Sequence, residues 1–183
     1  MKIIKVKPDS LADKIGLKSG DHLLKINGKR VIDEIDYKFR MTEESLLLDL
    51  EINGQMERVE VEKEYDDHLG VEFEEMKIRG CANDCVFCFV DQNPPNMRDS
   101  MYFRDGDYRM SYLYGHYITM TNMGQNELKR IVEQRLTPLY ISIHVTDTQL
   151  RQKLFLYKRD DNLLEKLKFL IENGIELHTQ IVL

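Results

Sequence analysis

The chain lacks several features that would each assign it to a class of protein. It has no long uninterrupted run of apolar residues, and its N-terminus, MKIIKVKPDS, has no apolar stretch long enough for the core of a signal peptide. It has no block of basic residues, and its net charge of −6 argues against a nucleic-acid surface. We therefore expect a cytoplasmic protein that neither crosses a membrane nor binds nucleic acid.

The pattern of the chain changes near residue 74. Residues 1–74 consist of short alternating segments separated by turns, which predicts a small, mostly-β unit. Two Asn-Gly pairs, Asn27-Gly28 and Asn53-Gly54, predict tight hairpins, because both residues of each pair accept a positive φ. Between the hairpins, EIDYKFRM predicts a short helix.

Residues 75–183 alternate strands with helices, which implies parallel βαβ units. The predicted strands are EFEEMKIRG, YITMT, YISIHV and LHTQI, and the predicted helices are GQNELKRIVEQRL, DTQLRQKLFLY and NLLEKLKFLIENG. Pro138 ends the first helix, and Gly174 caps the last one. The expected apolar faces are Leu128, Ile131, Val132 and Leu136 on the first helix and Leu163, Leu167, Leu170 and Ile171 on the last.

Three of these strands carry polar side chains at alternate positions. A buried parallel strand is normally apolar throughout, so a repeated polar stripe predicts the lining of a barrel or crevice that holds a polar ligand. The alternative is that these groups only satisfy neighbouring backbone. The residues of the stripe are Thr119 and Thr121, Ser142 and His144, and His178 and Gln180.

The chain has only three cysteines, Cys81, Cys85 and Cys88, spaced C-x3-C-x2-C. A structural zinc site needs four protein ligands, so zinc would have to recruit a carboxylate or a histidine such as His116. A disulfide would leave one thiol over. A [4Fe–4S] cluster held by three thiolates would keep one iron open for a small molecule, as a catalytic cluster requires.

The segment RGCANDCVFCFVDQ resembles the radical SAM signature, in which an aromatic residue, here Phe87, precedes the third cysteine. With the segments that follow it, the chain resembles PDZ-containing radical SAM proteins that carry the "domain of unknown function 512". The resemblance implies an α+β, mostly-β PDZ-like domain at 1–74, whose strand HLGVEF arrives last, as in a circular permutation. It also implies an α/β domain at 75–183 that forms part of a radical SAM βα barrel.

The resemblance implies roles for individual residues. Cys81, Cys85 and Cys88 would hold a [4Fe–4S] cluster whose open iron binds S-adenosylmethionine (SAM), and an external electron donor would drive cleavage of SAM to a 5′-deoxyadenosyl radical. Phe87 would lie near the adenine. Thr121 and Asn122 replace a Gly-Gly-Glu-like segment that often binds the methionine amino group. The residues expected to point into the lumen are Ser142, His144, His178 and Gln180, with His144 a candidate for proton or hydrogen transfer.

Three further expectations concern surfaces and chain extent. The edge of the PDZ-like unit could accept a peptide or dock a domain. Arg98, Arg104 and Arg109, interleaved with aspartates 99, 105 and 107, predict an ion-paired lid, a substrate surface or a solvated loop. About four strands of a six-unit barrel are expected, so the chain would be a truncated enzyme whose turnover is weak or absent, or an oligomer whose second chain covers the open edge.

A different class of function is also consistent with these residues. In that interpretation the protein is a non-catalytic PDZ-like interaction module, joined to a clip that binds zinc or an iron–sulfur cluster only for structure.

Overall fold

The computed structural model describes residues 1–182 and divides the chain into two compact units, Met1–Lys77 and a second that begins at Ile78. The assignment of residues 1–74 and 75–183 to the two predicted domains stays a prediction. Within residues 1–182, no helix combines the length and the apolar character needed to cross a membrane.

The first unit is built mainly from an antiparallel sheet. Its elements are β1 (Ile3–Val6), α1 (Leu11–Lys14), β2 (His22–Ile26), β3 (Lys29–Arg30), α2 (Glu34–Arg40), β4 (Ser45–Ile52), β5 (Gln55–Glu62) and β6 (Val71–Phe73). The main sheet has the strand order β3-β2-β4-β5. Both predicted hairpins are confirmed: Asn27-Gly28 joins β2 to β3, and Asn53-Gly54 joins β4 to β5, with all four residues at positive φ.

The core of this unit lies against one face of β4. Leu46, Leu48 and Leu50 alternate along the strand and are fully buried, as expected for a sheet with one face turned inward. The predicted helix is confirmed as α2, which the Asp33 side chain caps by accepting a hydrogen bond from the Asp36 N–H. Strand β6 pairs antiparallel with β1, so the last strand of the unit closes onto the first.

Gly70 allows β6 to approach the start of α1. Its φ is +79°, and a Cβ there would lie 2.3 Å from Ser10 Cβ. Gly54 has the same φ but open space around it.

We therefore expect Gly70→Ala to lower the free energy of unfolding by about 1–3 kcal/mol more than Gly54→Ala, since only the first adds a clash. Urea denaturation of the two variants measures the difference, and equal losses would refute the packing argument.

The second unit has an α/β organisation, which confirms the predicted fold class for this part of the chain. Its elements are a 3-10 helix (Asp99–Tyr102), α3 (Tyr108–Tyr114), α4 (Gln125–Glu133), β7 (Leu139–Ser142), α5 (Thr148–Phe155), α6 (Leu163–Glu172) and β8 (Leu177–Gln180). Strands β7 and β8 are parallel, with Leu139 opposite Leu177 and Ser142 opposite Gln180. On the other side of β7, Ile118 forms a parallel bridge with Ile141.

Two predicted strands are shorter than expected. YITMT contributes only the bridge at Ile118, because Met120 turns to a φ of 59° and its carbonyl accepts from Met123 N–H. EFEEMKIRG does not form one strand: its start belongs to β6, and near its end only Gly80 bridges, antiparallel to Asp105. The Arg79 N–H donates to the Asp107 side chain instead of a neighbouring strand.

The helix predictions need two corrections. Helix α4 ends at Glu133, before Pro138, because Arg135 adopts a left-handed φ of 50°. Ile171 was expected on the buried face of α6, yet it is 61% exposed, because the buried positions of α6 are Leu163, Lys166, Leu167 and Leu170. The cap at Gly174 is confirmed by its φ of 78°.

Candidate functional site

Four residues of the polar stripe, Thr119, Ser142, His178 and Gln180, lie on one face of the strand segments of the second unit. Thr121 and His144 lie beyond the paired segments. Strand register puts Ser142 beside Gln180, and the bridge at Ile118 brings Thr119 alongside Ser142. Tyr140 and His178, on the same face, stack with ring centroids 4.8 Å apart. Leu139 and Ile141 face the other way and are fully buried. The alternation inferred from the sequence therefore separates a polar from an apolar face.

The cysteine loop, residues 81–91, is fixed to this polar face by Asn83. Its amide nitrogen donates to Thr119 Oγ1 at 2.7 Å, and its amide oxygen accepts from Thr121 Oγ1 at 2.9 Å. The two threonine hydroxyl oxygens are 3.1 Å apart, which closes a ring of three hydrogen bonds. Asn83 is 4% exposed, so the ring is shielded from water. Two stripe residues thus hold the loop in place.

The loop also packs against the end of α5. Asp84 N–H and Val86 N–H donate to the Phe155 and Leu154 carbonyls, each at 3.0 Å. The Phe87 ring contacts the His144 ring at 4.9 Å and the Phe155 ring at 5.9 Å, both edge to face. The aromatic residue before the third cysteine is therefore part of a small ring cluster.

His144 stands at the end of β7 in a half-buried position. Its Nδ1 accepts a hydrogen bond from Val182 N–H at 3.1 Å, so the proton of the neutral ring is on Nε2. Burial, and then the positive charge of Arg151, lower the pKa of His144 below its ordinary value. The side chain is therefore neutral at pH 7 and presents one N–H donor.

Arg104 connects separate points of the cysteine loop. Its carbonyl accepts from Cys81 N–H at 2.6 Å. Its guanidinium forms a fork with the Asp91 carboxylate, in which Nε donates to Oδ1 at 3.2 Å and Nη2 donates to Oδ2 at 2.6 Å. The third nitrogen, Nη1, donates to Asp84 at 2.8 Å. The Asn83 carbonyl accepts a further bond from Nη1. Arg104 of the predicted ion-paired segment therefore pairs with two aspartates of the cysteine loop that the sequence analysis did not name.

Gly106 lies directly against the first cysteine. A Cβ at this position would be 2.7 Å from Cys81 Cα and 3.0 Å from its nitrogen, closer than backbone atoms allow. The two segments pair as a short antiparallel bridge between Gly80 and Asp105. Only a residue without a side chain permits this approach.

The three thiols are free and half-buried. Burial, followed by the thiolates of Cys81 and Cys88, raises the pKa of Cys85 to about 11, and the charge of Arg104 acts in the opposite direction. The thiols thus lie within electrostatic reach of one another. Across residues 1–182, however, no three His, Cys, Asp or Glu side chains converge on a common point as metal ligands. The chemistry of the donor set fits an iron–sulfur cluster, whose irons bind thiolates.

Comparison with known proteins decides the family. No curated protein matches the chain. The family model described as a Radical SAM-like domain matches residues 63–183, which is more than half of the chain. The chain belongs to the radical SAM-like family. A PDZ domain model matches residues 2–52, so the radical SAM-like domain follows a PDZ domain. The family named after "domain of unknown function 512" is not confirmed by these matches.

The sequence analysis missed a buried charged centre in the radical SAM-like domain. Arg151, 3% exposed, pairs with Asp161 at 2.6 Å and donates to the carbonyls of Thr119 and Ile143. Its guanidinium also lies 4.3 Å from the centre of the Phe155 ring. The only signal for this role was that Arg151 and Phe155 are four residues apart on one helix, which brings their side chains together.

Lys166 is a second buried cation that the sequence did not reveal. It lies on α6 and donates to the Met120 carbonyl at 2.8 Å. Burial lowers its pKa from the ordinary lysine value. Its position in an otherwise apolar helix face gave no sign of this contact, because a lysine there is more often solvated.

The remaining predicted site residues occupy different surroundings. Thr121 is buried, and its hydroxyl donates to Asn83. Asn122 is half-buried, and its side-chain nitrogen donates to the carbonyl of Gly80, the residue before the first cysteine, at 3.4 Å. His116 pairs with Asp105 at 2.7 Å. The roles assigned to these residues in cofactor binding stay predictions.

The contact between Gly106 and Cys81 can be tested by adding a single methyl group. We expect Gly106→Ala to lower the free energy of unfolding by about 1–3 kcal/mol, since backbone atoms must move. Gly80→Ala is the matched control: its Cβ would meet Arg104 O at 3.7 Å, an ordinary contact. The control should stay within about 0.5 kcal/mol of the unchanged protein. Urea unfolding of both variants measures this, and equal effects would refute the contact.

The raised pKa of Cys85 predicts a pH dependence of alkylation. The thiolate is the nucleophile, so a raised pKa keeps Cys85 unreactive at pH values where an ordinary thiol, with a pKa of about 8.5, reacts. The alkylation rate of Cys85, followed by mass spectrometry, should have its midpoint near pH 11 in the folded protein. Replacing both Cys81 and Cys88 with serine should lower that midpoint, because two neighbouring negative charges are removed. If the midpoint for Cys85 stayed the same in this double variant, the neighbouring thiolates would not be a cause of its raised pKa.

Proposed function

We propose that the second unit is a radical SAM enzyme core in which Cys81, Cys85 and Cys88 hold a [4Fe–4S] cluster. The observation that carries this proposal is the way in which the cysteine loop is attached to the strand segments. Asn83 fixes the loop to the polar face of the strands, next to the residues predicted to contact SAM. When bound, such a cluster supplies the electron that cleaves SAM to methionine and a 5′-deoxyadenosyl radical, with an external donor replacing the electron.

The chain's own residues would bind and orient SAM on the polar face. Phe87, packed against His144, would keep water from one side of the adenine. Ser142 and Gln180, side by side on neighbouring strands, offer hydroxyl and amide groups for the polar part of the ligand. His144 is neutral and would donate from Nε2 without adding a positive charge. The remaining candidate contact is Asn122, because the Thr121 hydroxyl is buried and already donates to Asn83.

The PDZ domain supplies a separate proposed function, docking of an extended peptide or of another domain. Strand β6 pairs with β1 on one side, and strand addition uses a free strand edge. The N–H of Leu69, just before β6, already donates to the Tyr37 hydroxyl at 3.3 Å. Capture of a peptide carboxylate needs free backbone N–H groups, and this one is already used within the unit. The bond therefore favours docking of a domain over capture of a peptide. We place the protein in the cytoplasm, where iron–sulfur ligands remain reduced.

Anaerobic reconstitution tests the cluster proposal. The purified protein should take up about four iron and four sulfide per chain, as a [4Fe–4S] cluster contains. After reduction with dithionite it should convert SAM to 5′-deoxyadenosine above the background of a Cys85→Ser variant, measured by chromatography. Cys81→Ser and Cys88→Ser should lose iron in the same way, because each removes one of three ligands.

The same experiment distinguishes the second class of function, a structural metal clip. Binding of one zinc per chain, with no iron uptake under reconstitution, would refute the enzyme proposal and support the clip.

A further inference from the structure

We propose that Arg104 is a positioning residue that closes the cysteine loop before any metal is bound. This inference rests on the proposed function, because it takes the three cysteines as one ligand set. Arg104 itself touches no thiol in the bonds described above. It acts through Asn83 and Asp84, which lie between the first two cysteines, and through Asp91, which follows the third.

The contacts of Arg104 enclose the second and third cysteines. Asp84 precedes Cys85, Asp91 follows Cys88, and one guanidinium binds both carboxylates. The side chain therefore ties together the two ends of the segment that carries these thiols. The Arg104 carbonyl, through its bond to Cys81 N–H, fixes the first cysteine to the same residue.

The geometry requires an arginine. Single exposed ion pairs contribute little, and the side chains of Asp84 and Asp91 are 69% and 48% exposed. A guanidinium, however, donates in a fixed plane in several directions, so it can form a fork with one carboxylate and still reach another. A lysine ammonium could replace the charge but not this planar bridge.

Such a closed loop would lower the cost of metal binding. A loop that is already restrained by these bonds loses less backbone freedom when its thiols move together to bind a metal. Residues that orient metal ligands from outside the ligand set typically affect metal affinity by about 10- to 100-fold. We expect a loss of that size when the Arg104 bridge is removed.

Cadmium titration of the metal-free full chain tests this inference. Cd²⁺ binds thiolates, and the ultraviolet thiolate-to-cadmium charge-transfer absorption reports binding directly, without any enzyme assay. Arg104→Gln should weaken Cd²⁺ binding about 10- to 100-fold. Arg98→Gln is the matched control, since Arg98 is an exposed arginine shortly before it in the chain, and it should bind like the unchanged protein.

Arg104→Lys separates charge from geometry. It should recover only part of the loss, because it keeps the charge but not the fork. Full recovery would overturn the inference, and so would Cd²⁺ binding by Arg104→Gln that equals that of the unchanged protein.

A second variant keeps the test decisive if Arg104→Gln does not fold. Asp91→Asn removes the far anchor of the bridge and should weaken Cd²⁺ binding on its own. If both variants fold, their effects should be less than additive when combined, because they break the same bridge. Full additivity, or no effect of Asp91→Asn, would overturn the inference.

Failure of the proposed function gives a different result. If the unchanged protein and Cys85→Ser bind Cd²⁺ equally, the three cysteines are not one ligand set, and both proposals fall. If Cys85→Ser loses binding while Arg104→Gln does not, the ligand set stands and only the role of Arg104 is refuted.

Discussion

The second unit depends on the buried guanidinium of Arg151. Its bonds to the carbonyls of Thr119 and Ile143 satisfy two backbone acceptors where neighbouring strand segments end. Asp161 balances its charge, so a cation can remain in the interior without leaving a group unpaired. Through Phe155 the same side chain supports the ring cluster beneath the cysteine loop. The ends of the strand segments and α5 therefore contact Arg151 directly, and the cysteine loop contacts it through Phe155.

The cysteine loop is attached to this support by different kinds of bond along its length. A ring of side-chain hydrogen bonds at Asn83 holds its first part, and backbone bonds to the end of α5 hold the next. Ion pairs of Arg104 connect its later part to the segment that follows. None of these attachments uses a thiol, so the cysteines remain free for chemistry.

Patterns of local origin were predictable from the sequence. Asn-Gly turns, the alternation of strands and the spacing of three cysteines depend on neighbouring residues, so hairpins, α/β organisation and a polar face could be inferred. The buried partners could not. Asn83 and Arg151 look like ordinary loop and helix residues, and their roles arise from contacts with Thr119, which is far away in the chain. Ile171 shows the converse, since helical spacing alone did not exclude its exposure.

The hydrogen-bond ring at Asn83 has a consequence for protein engineering. Each member donates or accepts in a defined sense, and an aspartate at position 83 could not donate to Thr119. The loop sequence alone therefore does not contain the hydrogen-bond partners that hold the loop in place. A graft of residues 81–91 into another scaffold would have to include the hydroxyl groups of Thr119 and Thr121, which lie about 30 residues further along the chain.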